Sequence, residues 1–298
     1  MKNLQLLKRV EIDVQRWDSC INSAPNGLIY ATTRYLDSVS SSWKGLVYGD
    51  YELVMPVPYS RFLWFSLAQQ PFFMQQLGVF GKNISTEVLI EMIAILKKHF
   101  TYGNLHLNYA NQLKNTKEKT NLILPLSQSY LNIRERYTKD VKNNLHVSQR
   151  FLLQYTSSNH YAKALNLFKD LYHYRFKKVK NRHFDGVLRY LNHYPDAALV
   201  REVHLGGVLQ ASLLAIKDDK RMYILFSATT MAGRKSKANH YLFDQLIQEF
   251  SGKPIILDFE GSEIEGVAYF YTNFGAVLQP YYAIHWNNLP WWLQLIKK

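Results

Sequence analysis

The sequence predicts a mixed α/β protein (an α+β arrangement with mixed sheets) built from two modules in tandem. Three observations lead there. The chain has 298 residues, 47% hydrophobic and 20% charged, which suits one large or two medium globular cores. The stretch NQLKNTKEKT (111–120) is polar and lysine-rich and carries no apolar periodicity, as a surface loop or linker would. After it the strand and helix signals start again, in the order β, α, α, β, β, β, α, β, α, β. We place the modules at 1–125 and 126–298.

In the first part, LKRVEIDV is a strand candidate, and QRWDSCINSA and ATTRYLDSVS have helical spacing. GLVYGDYELVMPVPYS reads as two short strands joined at Gly-Asp, the second ending at its prolines. STEVLIEMIAILKKHF places Val88, Ile90, Met92, Ile93, Ile95 and Leu96 at helical spacing behind a serine N-cap candidate, Ser85. NLHLNYA alternates as a strand.

In the second part, FLLQYTS is strand-like, and SNHYAKALNLFKDLYHYRF puts Ala162, Leu165, Phe168 and Leu171 or Tyr172 on one helical stripe. HFDGVLRYLNHY is a second, weaker helix. AALVREVHL, GVLQASLLAIK and RMYILFSATT are strands, with Gly-Gly and Asp-Asp between them as hairpins require. KANHYLFDQLIQEF is a helix closed by Gly252. PIILDFE is a buried strand, VAYFYTNF a short helix closed by Gly275, and QPYYAIHW a last strand.

Composition narrows the function classes. Lys and Arg number 36 against 23 Asp and Glu, a net charge of +13, which favours an anionic partner: a phosphorylated cofactor, a nucleic acid or a membrane surface. The single cysteine, Cys20, permits no internal disulfide and reads as a small buried hydrophobe. The N-terminus lacks the apolar core of a signal peptide. VMPVPYSRFLWFSLA, the most apolar stretch, contains two prolines and Arg61 and does not read as a membrane span. A cytoplasmic protein is expected. HExxH, GxSxG, Walker A and GxGxxG patterns are all absent, so metalloprotease, serine hydrolase, P-loop and Rossmann readings have no support, and no metal is expected.

Three stretches carry a resemblance: YTKDVKNNLHVSQR (137–150), SATTMAGRKSKANHYLFDQLI (227–247) and DFEGSEIEGVAYFYTNFGA (258–276). Together with the order of elements they resemble the GNAT acyl-CoA N-acyltransferases. The whole chain is similar to the FemAB-like branch, in which two such domains are fused. The likeness is clear over residues 130–285 and thin over the first 125.

The resemblance implies a cofactor site where two parallel strands splay apart. The exposed edge would be Phe226, Ser227, Ala228 and Thr229, and a loop from Gly233 through Arg234, Lys235, Ser236 and Lys237 to Ala238 would present a helix start near Asn239 to a pyrophosphate. The family's loop is Gln/Arg-x-x-Gly-x-Gly/Ala. Here Gly233 and Ser236 replace its Gln/Arg and central Gly, and a side chain at 236 hinders tight wrapping. Acyl-CoA, acetyl-CoA included, is the implied donor. Family members that use aminoacyl-tRNA also degrade this loop, which makes tRNA the other implied partner. An amine-bearing small molecule or peptide is the acceptor, bound in a cleft of the second module that faces the first.

Ala268, Phe270, Tyr271, Phe274 and Gly275 match the family pattern after its fifth strand, with Glu265 in place of Asn. By that match Tyr271 is the candidate general acid for the leaving thiolate; otherwise it is an ordinary half-buried aromatic. Asp258 and Glu260 share a strand face by parity. Either that face lines the cleft and one of them takes the acceptor's proton, or Asp258 pairs with an Arg or Lys and Glu260 caps the next turn. His204, Tyr281, Tyr282 and His285 fall on strands expected near the same cleft. The cation-rich stretches RERYTKDVKNNLHVSQR and RFKKVKNRH, interleaved with Tyr137, Tyr174 and Phe176, read either as a nucleic-acid surface or as solvated helix faces. A catalytically silent binding protein for a peptide, lipid or cell-envelope precursor is the competing reading to an enzyme.

Overall fold

The computed structural model describes residues 3–175, 178–261 and 265–294, excepting the Glu265 side chain. It divides into two compact units, Met1–Lys119 with Pro280–Lys298, and Thr120–Gln279.

The first unit contains β1 (Leu4–Lys8), α1 (Val14–Ser23), α2 (Thr33–Val39), β2 (Trp43–Tyr48), β3 (Leu53–Phe62), β4 (Phe65–Gln69), β5 (Phe80–Gly81), α3 (Thr86–His99), β6 (Tyr102–Leu107) and β7 (Lys117–Lys119). Part of the expected linker is therefore strand. The strand β3 also runs through Pro56 and Pro58 instead of ending there. Two residues apart, the prolines aim their nitrogens at the same edge. That edge is paired only near β3's two ends, by β5 at Leu53–Val54 and by β4 from Tyr59 onward, so the missing N–H groups cost no ladder bond. Ser85 caps α3 by accepting from the Val88 N–H. Leu89, Met92, Ile93 and Leu96 of α3 pack on Leu46, Met55, Val57, Leu105 and Leu107 of the sheet.

The second unit follows as β8 (Leu122–Pro125), α4 (Tyr130–Glu135), α5 (Lys139–Ser148), β9 (Leu153–Ser158), α6 (Tyr161–Tyr172), α7 (Asn181–His193), β10 (Ala198–Leu205), β11 (Val208–Lys217), β12 (Arg221–Thr229), α8 (Met231–Lys235), α9 (Ala238–Phe250), β13 (Ile256–Asp258), α10 (Glu265–Asn273) and β14 (Val277–Leu278). Its sheet has the order β14-β8-β13-β12-β11-β10-β9. The pair β12/β13 is parallel and the other pairings are antiparallel. Leu242, Phe243, Leu246 and Ile247 of α9 are fully buried against this sheet and Phe259, Tyr271 and Phe274. Each such side chain contributes about 1.5–3 kcal/mol.

The chain then returns to the first unit as β15 (Tyr281–Asn287) and α11 (Trp291–Gln294). The first sheet reads β1-β2-β3-β4-β6-β15-β7, with β5 beside β3. The sequence reading assigned QPYYAIHW to the second part. Its hydrogen bonds are instead with β6 and β7, and Tyr282, Ile284 and Trp286 join the first core. The reason is local complementarity. Gly103 on β6 has no side chain where the Trp286 ring sits, and a Cβ there would meet that ring at 2.1 Å. The Trp286 indole N–H donates to the Phe100 carbonyl at 2.8 Å.

Candidate functional site

In the second unit, β12 and β13 pair only over Arg221–Tyr223 and Ile256–Asp258. β12 then runs on to Thr229, while β13 stops at Asp258. At the point of divergence β12 carries a bulge: Phe226 pairs with Leu214 and Ile224 with Ala215, which leaves Leu225 extra. A bulge bends a strand and re-aims the side chains beside it. The gap that opens is a cavity of about 550 Å³, within the range usual for small-ligand sites.

Four groups of residues line it. Ile224, Leu225, Ser227 and Thr229 come from β12, and Phe259, Glu260 and Gly261 from the turn after β13. Gly266, Val267, Phe270 and Tyr271 come from α10. Phe168, Tyr172 and Arg175 lie at the end of α6, with Arg234 of α8 and Asn239 of α9 completing the wall. The Ser227 hydroxyl lies 3.3 Å from the Asn239 side-chain oxygen.

Glu260 is the most unusual member. Its backbone is left-handed, φ +61°, a conformation a non-glycine residue adopts at a cost of about 1–3 kcal/mol. One of its carboxyl oxygens, Oε1, is buried with no hydrogen-bond partner among the described residues. Burial pushes its pKa up to about 8. Tyr271 stacks on Phe259 with ring centroids 4.4 Å apart. Burial raises its phenol pKa first, and the nearby Glu260 raises it further.

Asp258 takes a different role from Glu260. Its carboxylate accepts from Arg221 Nη1 at 2.6 Å, and both side chains are buried. Its other oxygen accepts the Glu260 N–H at 2.9 Å, which fixes the turn. Strand parity does not carry across this point, because β13 ends at Asp258 and Glu260 has a positive φ. Glu260 faces the cavity, and Asp258 anchors the strand end.

The expected phosphate loop has a different form. Residues 231–235 are the short helix α8, capped by Thr230, whose hydroxyl accepts from Gly233 N. Gly233 is required by packing: a Cβ there would lie 2.2 Å from the Gln210 carbonyl oxygen. Ser236 is buried, its hydroxyl 3.3 Å from the Gly233 carbonyl. Lys237 takes the left-handed conformation, φ +58°, just before α9. Of the residues singled out for the cofactor, Ser227, Thr229, Arg234 and Asn239 line the cavity. Ala228, Gly233, Lys235, Ser236, Lys237 and Ala238 are not among the residues lining it.

Tyr281, Tyr282 and His285 lie on β15 in the first sheet, and the His204 ring sits 3.5 Å from Glu202 on β10; none of the four lines this cavity. Tyr137 is buried, its ring 5.1 Å from Phe274, so it cannot stack on a base. Tyr174 is exposed; Phe176 lies outside the described residues. The sequence reading gives the α6 stripe no part in the site. Phe168 and Tyr172 do form the helical stripe, but that stripe runs past the sheet edge into the gap. The basic run after it, beginning at Arg175, was the available signal. Among the described residues no three His, Cys, Asp or Glu side chains converge as a metal site needs. A wider hollow of about 940 Å³ lies in the first unit, but its Arg16 and Asp50 are paired with each other.

The architecture has solved counterparts. FemX superposes over 99% of this chain and 100% of its own, with a TM-score of 0.67 at 12% identity. This chain has the tandem GNAT fold of the FemX kind. L-PGS from Bacillus licheniformis matches with a TM-score of 0.56 at 10% identity, over 95% of each chain. A tandem GNAT protein from the clavulanic acid biosynthesis pathway matches with 0.51 at 9%, over 97% of this chain and 99% of its own. No protein-family model and no curated sequence matches the chain. The likeness is one of fold.

Proposed function

We propose that this protein is an acyltransferase that moves an acyl or aminoacyl group onto an amine, and that the transfer takes place in the cavity between β12 and β13. The observation that carries this reading is the convergence of three features in one cavity: the edge of β12 beyond Tyr223 that β13 leaves unpaired among the described residues, Glu260 with its buried Oε1, and Tyr271. An extended donor arm would pair with the edge of β12 as an added strand does. The acceptor nitrogen would attack the acyl carbon while Glu260 takes the proton that the nitrogen loses. A carboxylate with a pKa near 8 is a far better base for an ammonium than an ordinary one. Tyr271 would return a proton to the leaving thiolate or ribose oxygen. Its raised pKa keeps it protonated at neutral pH. Asp258 serves in this scheme by holding the strand end through Arg221.

Both implied donors carry phosphates, and Arg175 and Arg234 supply cations to the cavity. The helix α8 in place of a glycine loop argues against tight pyrophosphate wrapping and so favours an aminoacyl-tRNA donor over acyl-CoA. The exposed Arg134, Arg136, Lys139 and Lys142 and the exposed Lys178, Lys180 and Arg182 are available for an RNA backbone. The acceptor is an amine-bearing small molecule or peptide. The protein acts in the cytoplasm on this reading.

Acyl transfer from acetyl-CoA, longer acyl-CoAs and a mixture of charged tRNAs to a panel of amines, followed by mass spectrometry of the acceptors, tests the proposal. Transfer that falls with Glu260→Gln and Tyr271→Phe supports it. A second reading, a binding protein without turnover, is favoured by the same α8 feature. It predicts calorimetric binding of a donor or acceptor with no product from any combination.

A further inference from the structure

The first unit presents an exposed aromatic face that the cavity chemistry does not use. β3 and β4 are joined through Leu63 and Trp64, a two-residue loop closed by the Phe62–Phe65 pair. Leu63 takes φ +54°, as such a tight hairpin demands. Leu63 and Trp64 are 56% and 74% exposed. The helix α11 lies beside this hairpin. Leu289 and Leu293 bury against Leu67 and Tyr102, with Phe62 and Phe65 packed at the margin. That anchorage leaves Trp291 and Trp292 outward, 76% and 43% exposed. Singly exposed apolar residues need no explanation, but four large ones on elements that share one apolar base do.

The segments that build this face carry no acidic residue. The sequence has no Asp or Glu between Glu52 and Glu87, none between Glu91 and Glu118, and none after Glu265. These stretches supply the hairpin, the α3–β6 connection and α11. Backbone bonds tie them together: Thr101 N donates to the Ser66 carbonyl, and Asn288 N to the Thr101 carbonyl. Arg61, Lys97 and Lys98 are exposed on them. Tryptophan prefers the boundary between hydrocarbon and water, where its ring is buried and its N–H stays wet. Lysine and arginine beside it match anionic headgroups. No helix among the described residues is long and apolar enough to cross a membrane, so the contact is interfacial.

We propose that this face docks the protein on an anionic lipid surface. Leu63, Trp64, Trp291 and Trp292 enter the headgroup layer, and Arg61, Lys97 and Lys98 meet lipid phosphates. The test is flotation of the full-length protein with vesicles of phosphatidylcholine and phosphatidylglycerol, and with phosphatidylcholine alone. Tryptophan emission and sedimentation velocity are measured alongside. The expected result is flotation with the anionic vesicles, a blue-shifted emission, and weakening at raised salt. The double variant Trp64→Ala/Trp291→Ala is expected to lose at least about tenfold in partitioning while keeping the melting temperature of the parent, since both side chains are exposed. Failure of the parent to float overturns the proposal. Equal flotation of the double variant overturns it too, by assigning binding to cations elsewhere. A lipid-independent dimer that the double variant abolishes would assign the face to a second copy of the chain instead.

Discussion

Replacing Glu260 by Gln removes a titration that the fold itself creates. The Glu260 pKa rises from an ordinary 4.5 to about 8 on folding, because of burial. A carboxyl raised in this way destabilises the folded state. Between those two pH values the unfolded chain has lost its proton and the folded one has kept it. Stability therefore falls as pH rises through that window and levels off above it. At about 1.4 kcal/mol for each pH unit, the full interval corresponds to about 5 kcal/mol. Glu260 as a residue is half-buried although its Oε1 is buried; because it borders a cavity, water entry and relaxation lower the expected loss to about 2–3 kcal/mol. The assay is urea unfolding of parent and Glu260→Gln at pH 5.5 and 8.5, followed by circular dichroism. Other titrating groups are common to both chains and cancel in the difference. The parent should lose about 2–3 kcal/mol more than the variant between the two pH values. Parallel stability profiles would refute the reasoning, because they would mean that Glu260 titrates normally in the folded protein.

Tyr271→Phe keeps the ring stacked on Phe259 and should leave the melting temperature near that of the parent. Once a donor and acceptor are identified, it should lower kcat by about a hundredfold to ten-thousandfold. Activity of the parent should rise with pH through about 8, as Glu260 ionises, and a flat profile from pH 6 to 9 would exclude it as the base. Asp258→Asn strips the buried Arg221 of its counter-charge and should destabilise the chain by about 3–5 kcal/mol in urea unfolding. Gly233→Ala forces a methyl group into the Gln210 carbonyl and should cost about 1–3 kcal/mol; an unchanged melting temperature would show that α8 shifts freely.

Much of the fold was legible along the chain because its cues are local. The Ser85 cap, most of the apolar stripe of α3, the Gly-Gly hairpin between β10 and β11 and the glycine at 275 act within a few residues and read the same in sequence and in structure. Two local readings differ: Ile90 of the α3 stripe is exposed, and the Gly252 N–H bonds the distant Leu126 and Gln128 carbonyls instead of closing α9. The strand–turn–helix run from Asp258 to Gly275 is equally local, and its Phe259, Glu260, Gly261, Phe270 and Tyr271 line the cavity. What the chain order could not reveal was which distant segments meet. The strand β15 follows the second unit in sequence, yet it completes the first sheet, because a tryptophan finds the space that Gly103 leaves. β12 and β13 begin as neighbours and part at Tyr223, and that parting, with the bulge at Leu225, makes the cavity. Alternation put Asp258 and Glu260 on one face, but a left-handed residue after the strand end sends one to a buried arginine and the other to the cavity. A two-residue period holds only while the backbone stays extended. Where the strand stops, the neighbours brought in by the tertiary fold decide where each carboxylate goes.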